Sequence, residues 1–426
     1  SYEKDYLSEF SDQGEALDKL ETGTDLAVLK TGDESVYRYD QMGTHSYENS
    51  SMQTGTNGTS YYFSVASGDI TNFFNEVDLN TPWDYHYENL DSRTILDRLA
   101  AVKYFVVKAG EEEYLPYGYD TLAAEVEKND KLYRAYECKN ALPIGYTYDS
   151  YIPEEKYAKM STVEKQQALL QGVILSNSTV PETTSEFNDR EVPYKLVTGS
   201  GCREKDGKLI VTKENAQAKL VFDGLDECET YLITEGVDYE ALSPRELISD
   251  KKWSKMTLYE QKKIQYENST WRYWKESQKA YIDVTGQFLD KTISIFTDKY
   301  NAYSGRSDFL CNTGYSVKGK KSITLTFENT GVYSYKNMKV VCQPIENIES
   351  QTTKLGAESL ENVEIKNHEL TGNISVSKDK VLVISLPYSK GFQAYVDGQK
   401  TELKQANTMY MALELKKGAH EIRLTY

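Results

Sequence analysis

The chain has 426 residues, more than one hydrophobic core usually organises, so two or three domains are expected. Its 39% hydrophobic share excludes a wholly disordered chain, and its formal charge of −17 excludes nucleic acid as a partner, because phosphate binding needs concentrated Lys and Arg. No run approaches the roughly 20 apolar residues of a membrane-spanning helix, so the chain as given is expected to be soluble; it opens at Ser1 without an initiator Met, as a piece of a longer protein would.

Residues 1–30 carry a weak helical period through Leu7, Phe10, Leu17 and Leu20. "ESVYRYD", 34–40, alternates as a strand does, and 55–65 is turn-rich and then aromatic. After Asp69, an expected N-cap, Ile70, Phe73, Phe74 and Val77 recur at helical spacing. In "SRTILDRLAAVKYFVVK", Ile95, Leu96 and Leu99 form a helical face, and 102–107 is apolar on both faces, as in a buried strand. Helix followed by buried strand implies an α/β subdomain. Residues 127–152 read as a strand, a turn at Lys139-Asn140 and an extended piece after Pro143. Ser161 with Glu164 forms a capping box, Leu169 and Leu170 supply an apolar face, and Gly172 is an expected C-cap. The polar, proline-bounded stretch 176–193 reads as a linker.

Beyond it the period becomes two. Short strands separated by turn residues predict a sandwich, with Ile323, Leu325 and Phe327 on one face. A helical insertion at about 243–278 interrupts them; its expected starts are Ser243-Pro244 with Glu246, and Thr257 with Glu260. The predicted fold class is therefore α+β and β-dominated. An α/β subdomain (1–180) precedes a jelly-roll-like β-sandwich unit (181–345), and a C-terminal antiparallel β unit (346–426) packs on the sandwich. In that last unit Asp397-Gly398 lies between alternating runs and predicts a type I′ hairpin, and Gly418 repeats the device. These three residues are structural turns. His420 then shares a strand face with Ile422, Leu424 and Tyr426, and is read as a strand residue.

The five cysteines form no CxxC pair, which disfavours zinc and thioredoxin-type sites; a Cys202–Cys228 disulfide is one of several pairings the sequence allows. The four histidines are well separated, so no metal site is expected. Tyrosine is abundant, at 35, against 12 Phe and 4 Trp. It suits strands, and also wet, sugar-facing surfaces. The aromatic residues of the insertion are the candidate carbohydrate-binding set: Trp271 and Trp274, three apart, with Tyr281 and Trp253 nearby. They serve as a sugar platform, as a membrane-interface belt, or as packing of the insertion onto the sheets. Carboxylates are too many for any pair to be singled out as catalytic.

The sequence resembles the YfhO family of bacterial polytopic membrane proteins. Near the end, Pro387, Tyr388, Gly391, Asp397, Gly398, Gly418, His420, Ile422 and Tyr426 match the family's PY-x-x-GW-x-x-x-x-DG and G-x-H-x-I-x-L-x-Y segments, with Phe392 in place of Trp. Upstream, "ILDRLAAVKYFVVK" resembles the family's LL-x-x-L-x-VKY segment. "LYRAYECKNALPIGYTYD" resembles YEN-x-NALP-x-G, with Cys138 at the usual acidic or polar position. "GRSDFLCNTGY", 305–315, is also similar. The resemblance implies a large extracytoplasmic domain at the bacterial cell membrane, joined to a transmembrane array like that of lipid-linked-sugar glycosyltransferases. That array is absent here and would be this chain's partner. The implied function is accessory: glycosyl transfer onto cell-envelope polymers such as lipoteichoic acid, with a cell-envelope glycan or teichoic polymer as a further partner. No catalytic residue, cofactor or metal is carried over, and the isolated chain is not expected to be an enzyme. The residues alone leave two alternatives, a secreted carbohydrate-binding or adhesion module and a secreted glycan-active enzyme.

Overall fold

A computed structural model of the chain describes residues 14, 21–42, 49–65, 67–79, 86–271, 275–286, 290–301, 303–366 and 368–426, leaving out the side chains of 271–276. The periodicity read through Leu7, Phe10, Leu17 and Leu20 lies outside the described residues. The fold is α+β and strand-rich, with 43% strand and 18% helix. It forms two compact units. One comprises Ser1–Val77, Tyr85–Phe187 and Ile345–Tyr426; the other comprises Asp78–Asp84 and Asn188–Pro344. The sequence divides at 180/181 and 345/346 into three parts. In the structure the closing segment joins the first unit, because Gly145–Tyr148 pairs antiparallel with Lys380–Pro387.

In the first unit, Arg38–Gln41 pairs parallel with Val102–Lys108, and Lys131–Cys138 and Tyr119–Lys128 continue the sheet antiparallel. Helix Gly23–Leu29 covers it, placing Ala27 and Val28 against Tyr39, Tyr104, Val106 and Ala135. The helix–strand passage forms as read: helix Thr94–Leu99 hands over to Val102–Lys108. That helix is buried on all sides, however, Asp97 and Arg98 included. A second sheet runs in the order Lys404–Ala406, Tyr410–Leu415, Lys380–Pro387, Gly145–Tyr148. Its central strand, "KVLVISLP", is apolar on both faces because both are covered. A third sheet runs Glu361–Lys366, Glu369–Val376, Gly418–Thr425, Gln393–Val396, Gln399–Thr401. Its inward residues, among them Leu370, Ile374, Ile422 and Leu424, meet Leu382, Ile384, Met411 and Leu413 of the second sheet in one core.

In the second unit three antiparallel sheets share one core. Ala216–Phe222 alternates strictly between buried and exposed, as a strand covered on one face must. Ile323, Leu325 and Phe327 all point inward. Cys228–Glu235, central in its sheet, is buried nearly throughout. The insertion consists of helices Asp250–Trp253 and Leu258–Trp271 and the short 3-10 helix Lys275–Gln278.

Several local readings change. The capping box at Ser161 forms with both arms, Glu164 Oε2 accepting from Ser161 N at 2.7 Å and Ser161 Oγ from Glu164 N at 3.3 Å. Thr257 and Glu260 form the same reciprocal pair. The Ser243–Glu246 pair closes a turn, and it is Ser249 that caps the helix beginning at Asp250. Ser67, not Asp69, is the N-cap of Gly68–Glu76. All five cysteines are buried free thiols, so the Cys202–Cys228 pairing does not form. Asp397 and Gly398 have φ of 54° and 75° between the paired residues Val396 and Gln399, as a type I′ turn requires. Gly418, φ 138°, does not repeat the hairpin. The strand before it pairs with Lys380–Pro387 and the strand it opens pairs with Glu369–Val376, so the chain there passes between two sheets.

Candidate functional site

The second unit holds an open cleft of about 680 Å³, walled by strand Asp238–Ala241, the end of strand Asp290–Phe296 and the loop that follows. Glu240, Glu246, Asp298, Lys299, Tyr303 and Arg306 line it. Arg306 is fixed: its Nη2 donates to the Leu79 carbonyl at 2.6 Å and its guanidinium lies 5.4 Å from the Phe309 ring centre. Glu246 is oriented by Ser243, whose N and Oγ donate to Oε2 at 2.8 and 2.7 Å. Tyr303 is 49% exposed. Phe296, in the wall, stacks on Tyr300 at 4.8 Å, and Lys279 Nζ lies 6.0 Å from the Tyr300 ring and 5.5 Å from Tyr281. Carboxylate acceptors, cationic donors and an exposed aromatic ring are what a polyhydroxylated ligand engages. In the sequence, Arg306 stands out through its place in 305–315 and Glu246 through its spacing from Ser243; Tyr303 and Glu240 carry no local signal.

Of the four aromatic candidates, Trp253 and Tyr281 are described with their side chains, and they stand on different elements. Trp253 is half-buried beneath Arg245, whose guanidinium is 4.4 Å from the ring; Arg245 also pairs with Asp250 at 2.9 Å. Tyr281 lies in strand Lys279–Thr285, where its backbone N donates to Asn329 Oδ1 at 3.0 Å. Trp271 ends the second helix of the insertion; its side chain and the whole of Trp274 lie outside the described residues.

In the first unit the family-like segments converge. A cavity of about 410 Å³ is lined by Tyr37, Lys103, Cys138, Ala141, Leu142 and Pro143, so "VKY" and "NALP" meet there. Lys103 pairs with Asp33, and with Glu137 at 3.7 Å, beside the rings of Tyr37 and Tyr104, whose centres lie 5.8 and 5.4 Å from its Nζ. Burial works against the Asp33 charge, but hydrogen bonds led by Lys103 prevail and hold its carboxyl at about 2. Nearby, buried Arg98 donates to Glu349 at 2.6 Å, and Asn140 donates to the other oxygen of the same carboxylate. Glu349, 251 positions from Arg98, has no sequence signature.

The closing motif fastens the Asp397-Gly398 turn to the last strand. His420 Nδ1 meets Asp397 Oδ2 at 2.7 Å, its Nε2 meets the Lys416 carbonyl at 2.7 Å, and Asp397 Oδ1 accepts from Glu421 N at 2.9 Å. Burial lowers the His420 pKa, but these two acceptors outweigh it and the net shift is upward. Gly391 is small for a reason: a Cβ there would fall 2.8 Å from the Tyr426 ring. Phe392 meets that ring edge-on at 4.9 Å. Among the described residues no group of three His, Cys, Asp or Glu side chains could hold a metal ion.

The sequence profile of the family described as "Bacterial membrane protein YfhO" matches residues 2–426. A Bacillus subtilis (strain 168) protein named "Uncharacterized protein YfhO" is 22% identical over 403 residues, covering 94% of this chain and 41% of that protein. The chain thus spans about two fifths of its relative's length. A cryo-EM structure of the arabinofuranosyltransferase AftD from Mycobacteria is similar over 35% of this chain and 12% of its own, at 12% identity and a TM-score of 0.14, too low to carry any argument. The match across almost every residue places the chain in the YfhO family of bacterial membrane proteins.

Proposed function

We propose that this chain is the extracytoplasmic domain of a membrane protein that glycosylates a cell-envelope polymer, such as lipoteichoic acid, from a lipid-linked sugar. In this reading the domain handles the acceptor, and chemistry belongs to transmembrane segments outside this chain. The carrying observation is a mismatch. The family is one of membrane proteins and the match covers 2–426, yet no helix among the described residues is long and apolar enough to cross a membrane. The relative's additional length has room for the membrane array. The cleft lined by Glu240, Asp298 and Tyr303 is our glycan contact. With a formal charge of −17, attraction of an anionic polymer cannot be general; contact rests on hydrogen bonds, ring stacking and local cations such as Lys299 and Arg306. We also read the second unit as a sandwich, since strands of different sheets feed a single core.

Three measurements test this. In intact protoplasts of cells carrying the full-length protein, added protease should cut within this domain; protection until lysis would place it on the other side. Tyr303→Ala with Asp298→Asn in the full-length protein should lower polymer glycosylation without lowering membrane abundance. The isolated chain should neither transfer nor hydrolyse sugar, and turnover by it would sink the accessory role. A carbohydrate-binding module acting alone draws on the same cleft; it predicts glycan binding by the isolated chain and no dependence on a membrane partner.

A further inference from the structure

The helical insertion is built inside out. On helix Leu258–Trp271 the half-buried positions include Gln261, Ile264 and Asn268, while Leu258, Tyr259 and Tyr266 are 69, 79 and 70% exposed. The inner stripe is cemented by polar bonds: Gln261 Nε2 donates to the Trp253 carbonyl at 2.9 Å, and Asn268 Oδ1 accepts from Arg245 N at 3.2 Å. A surface helix ordinarily turns its large apolar side chains to the core; this one keeps Ile264 half-buried and turns Leu258, Tyr259 and Tyr266 to solvent. Tyr259, Lys262, Lys263 and Tyr266 follow one another at helical spacing on the outer side, all exposed.

Charge marks the same place. Between Lys251 and Lys275 the sequence has seven Lys and Arg against two Glu, in a chain whose formal charge is −17. Lys251, Lys252 and Lys255, in and just after the preceding helix, are exposed as well. Tyrosine with its hydroxyl at the wet boundary, leucine beside it and lysines around both make up a shallow membrane-interface contact. Clustered lysines are drawn to anionic headgroups within a Debye length, whatever the sign of the distant remainder.

We propose that the outer face of this insertion, Leu258, Tyr259, Lys262, Lys263 and Tyr266, docks on the surface of an anionic lipid bilayer. The rings and Leu258 enter the headgroup boundary, and the lysines neutralise lipid phosphates. This goes beyond acceptor handling and does not depend on it. It assigns the insertion a place at the membrane whether or not the cleft binds glycan.

The test is flotation of the 426-residue chain with vesicles of phosphatidylglycerol and phosphatidylcholine, against vesicles of phosphatidylcholine alone. The expected result is binding to the anionic vesicles only, lost at high salt. Lys262→Ala with Lys263→Ala should weaken it roughly 30-fold, at about fivefold per lysine. Tyr259→Ser with Tyr266→Ser should weaken it about tenfold. Lys321→Glu, an exposed lysine of the same unit paired with Asp223, should change nothing. All five positions are exposed, and circular dichroism checks that the variants fold. Absence of binding, equal binding to neutral vesicles, or variants that bind like the parent would each overturn the proposal. So would sedimentation showing a dimer that the tyrosine variants dissociate while vesicle binding persists, because the face would then belong to a second copy.

Discussion

A set of core tyrosines in this chain brings its own hydrogen bonds. Tyr119, Tyr146, Tyr148, Tyr239 and Tyr333 are buried, and their hydroxyls donate to the main-chain carbonyls of Val102, Leu99, Leu169, Thr330 and Asn329 at 2.6–2.9 Å. Each ties a strand to a neighbouring strand, loop or helix end by giving a main-chain carbonyl a donor. Tyr148→Phe strands the Leu169 carbonyl and the Asn407 amide that also reaches this hydroxyl. It should cost about 1–3 kcal/mol in urea unfolding at unchanged slope, whereas Tyr259→Phe, exposed, should cost almost nothing. Lys320 is the opposite case, a charge taken inside. Its Nζ donates to the Thr313 and Gly314 carbonyls, the second at 2.8 Å, and so locks the "CNTGY" segment. Burial pushes its pKa down to about 7, with Glu229 and Cys342 pulling the other way. An unfolded lysine titrates near 10.4. Between roughly pH 7 and 10 the unfolded chain therefore holds a proton that the native chain has released, and stability should rise with pH across that window and be flat below it. Thermal unfolding of the second unit against pH should show this slope, and Lys320→Met should abolish it; an equal slope in the variant would refute it.

At the scale of elements, what could be read from sequence is what is local. Ser161 with Glu164 and Thr257 with Glu260 each place both partners within one helical turn, so the pattern and the bond are the same thing. Asp397-Gly398 is readable because a two-residue turn leaves both residues at positive φ. Gly418 was not, because a glycine between two strands marks a reversal within one sheet as readily as a passage between two. The Asp397–His420 bond, 23 positions apart, needs the pairing of Val396 with Ile422 before it exists, and the cleft needs three separate segments. The clamp has a testable sign. The folded His420 pKa lies above its ordinary value near 6.5, raised against burial by Asp397 and the Lys416 carbonyl. Its stabilisation is complete below about 6.5 and is lost as pH climbs through the raised value. The ionisable neighbours are Asp397 and, on the adjoining turn, Lys416 paired with Asp379. For a partly exposed pair the expected contribution is about 0.3–1 kcal/mol. Amide exchange in Gln393–Val396 and Gln399–Thr401 should quicken from pH 6 to 8 beyond the intrinsic base-catalysed rise, and His420→Ala should remove that excess while raising exchange at pH 6.

For the whole molecule, the decisive feature is that the chain leaves the first unit at Phe187 and re-enters it at Ile345. Residues 1–187 alone cannot complete their core. Gly145–Tyr148, buried throughout, would lose its partner Lys380–Pro387. Arg98, wholly buried, would lose Glu349 and Thr352, and an uncompensated buried charge costs about 3–5 kcal/mol. Domain stabilities are about 5–15 kcal/mol in all, so that loss together with an uncovered sheet should leave 1–187 unfolded. Residues 188–344 keep the sheets and core of the second unit and lose the 2.6 Å bond from Arg306 to Leu79, a loss on the order of 1–3 kcal/mol. They should unfold cooperatively on their own. The measurement is circular dichroism and limited proteolysis on three samples: 1–187, 188–344, and 1–187 co-expressed with 345–426. Folding should be absent in the first, present in the second and restored in the third. A stable, protease-resistant 1–187 would mean that the closing strands cover a finished unit instead of completing it, and that the strand Lys380–Pro387 is an addition to the sheet and not its centre.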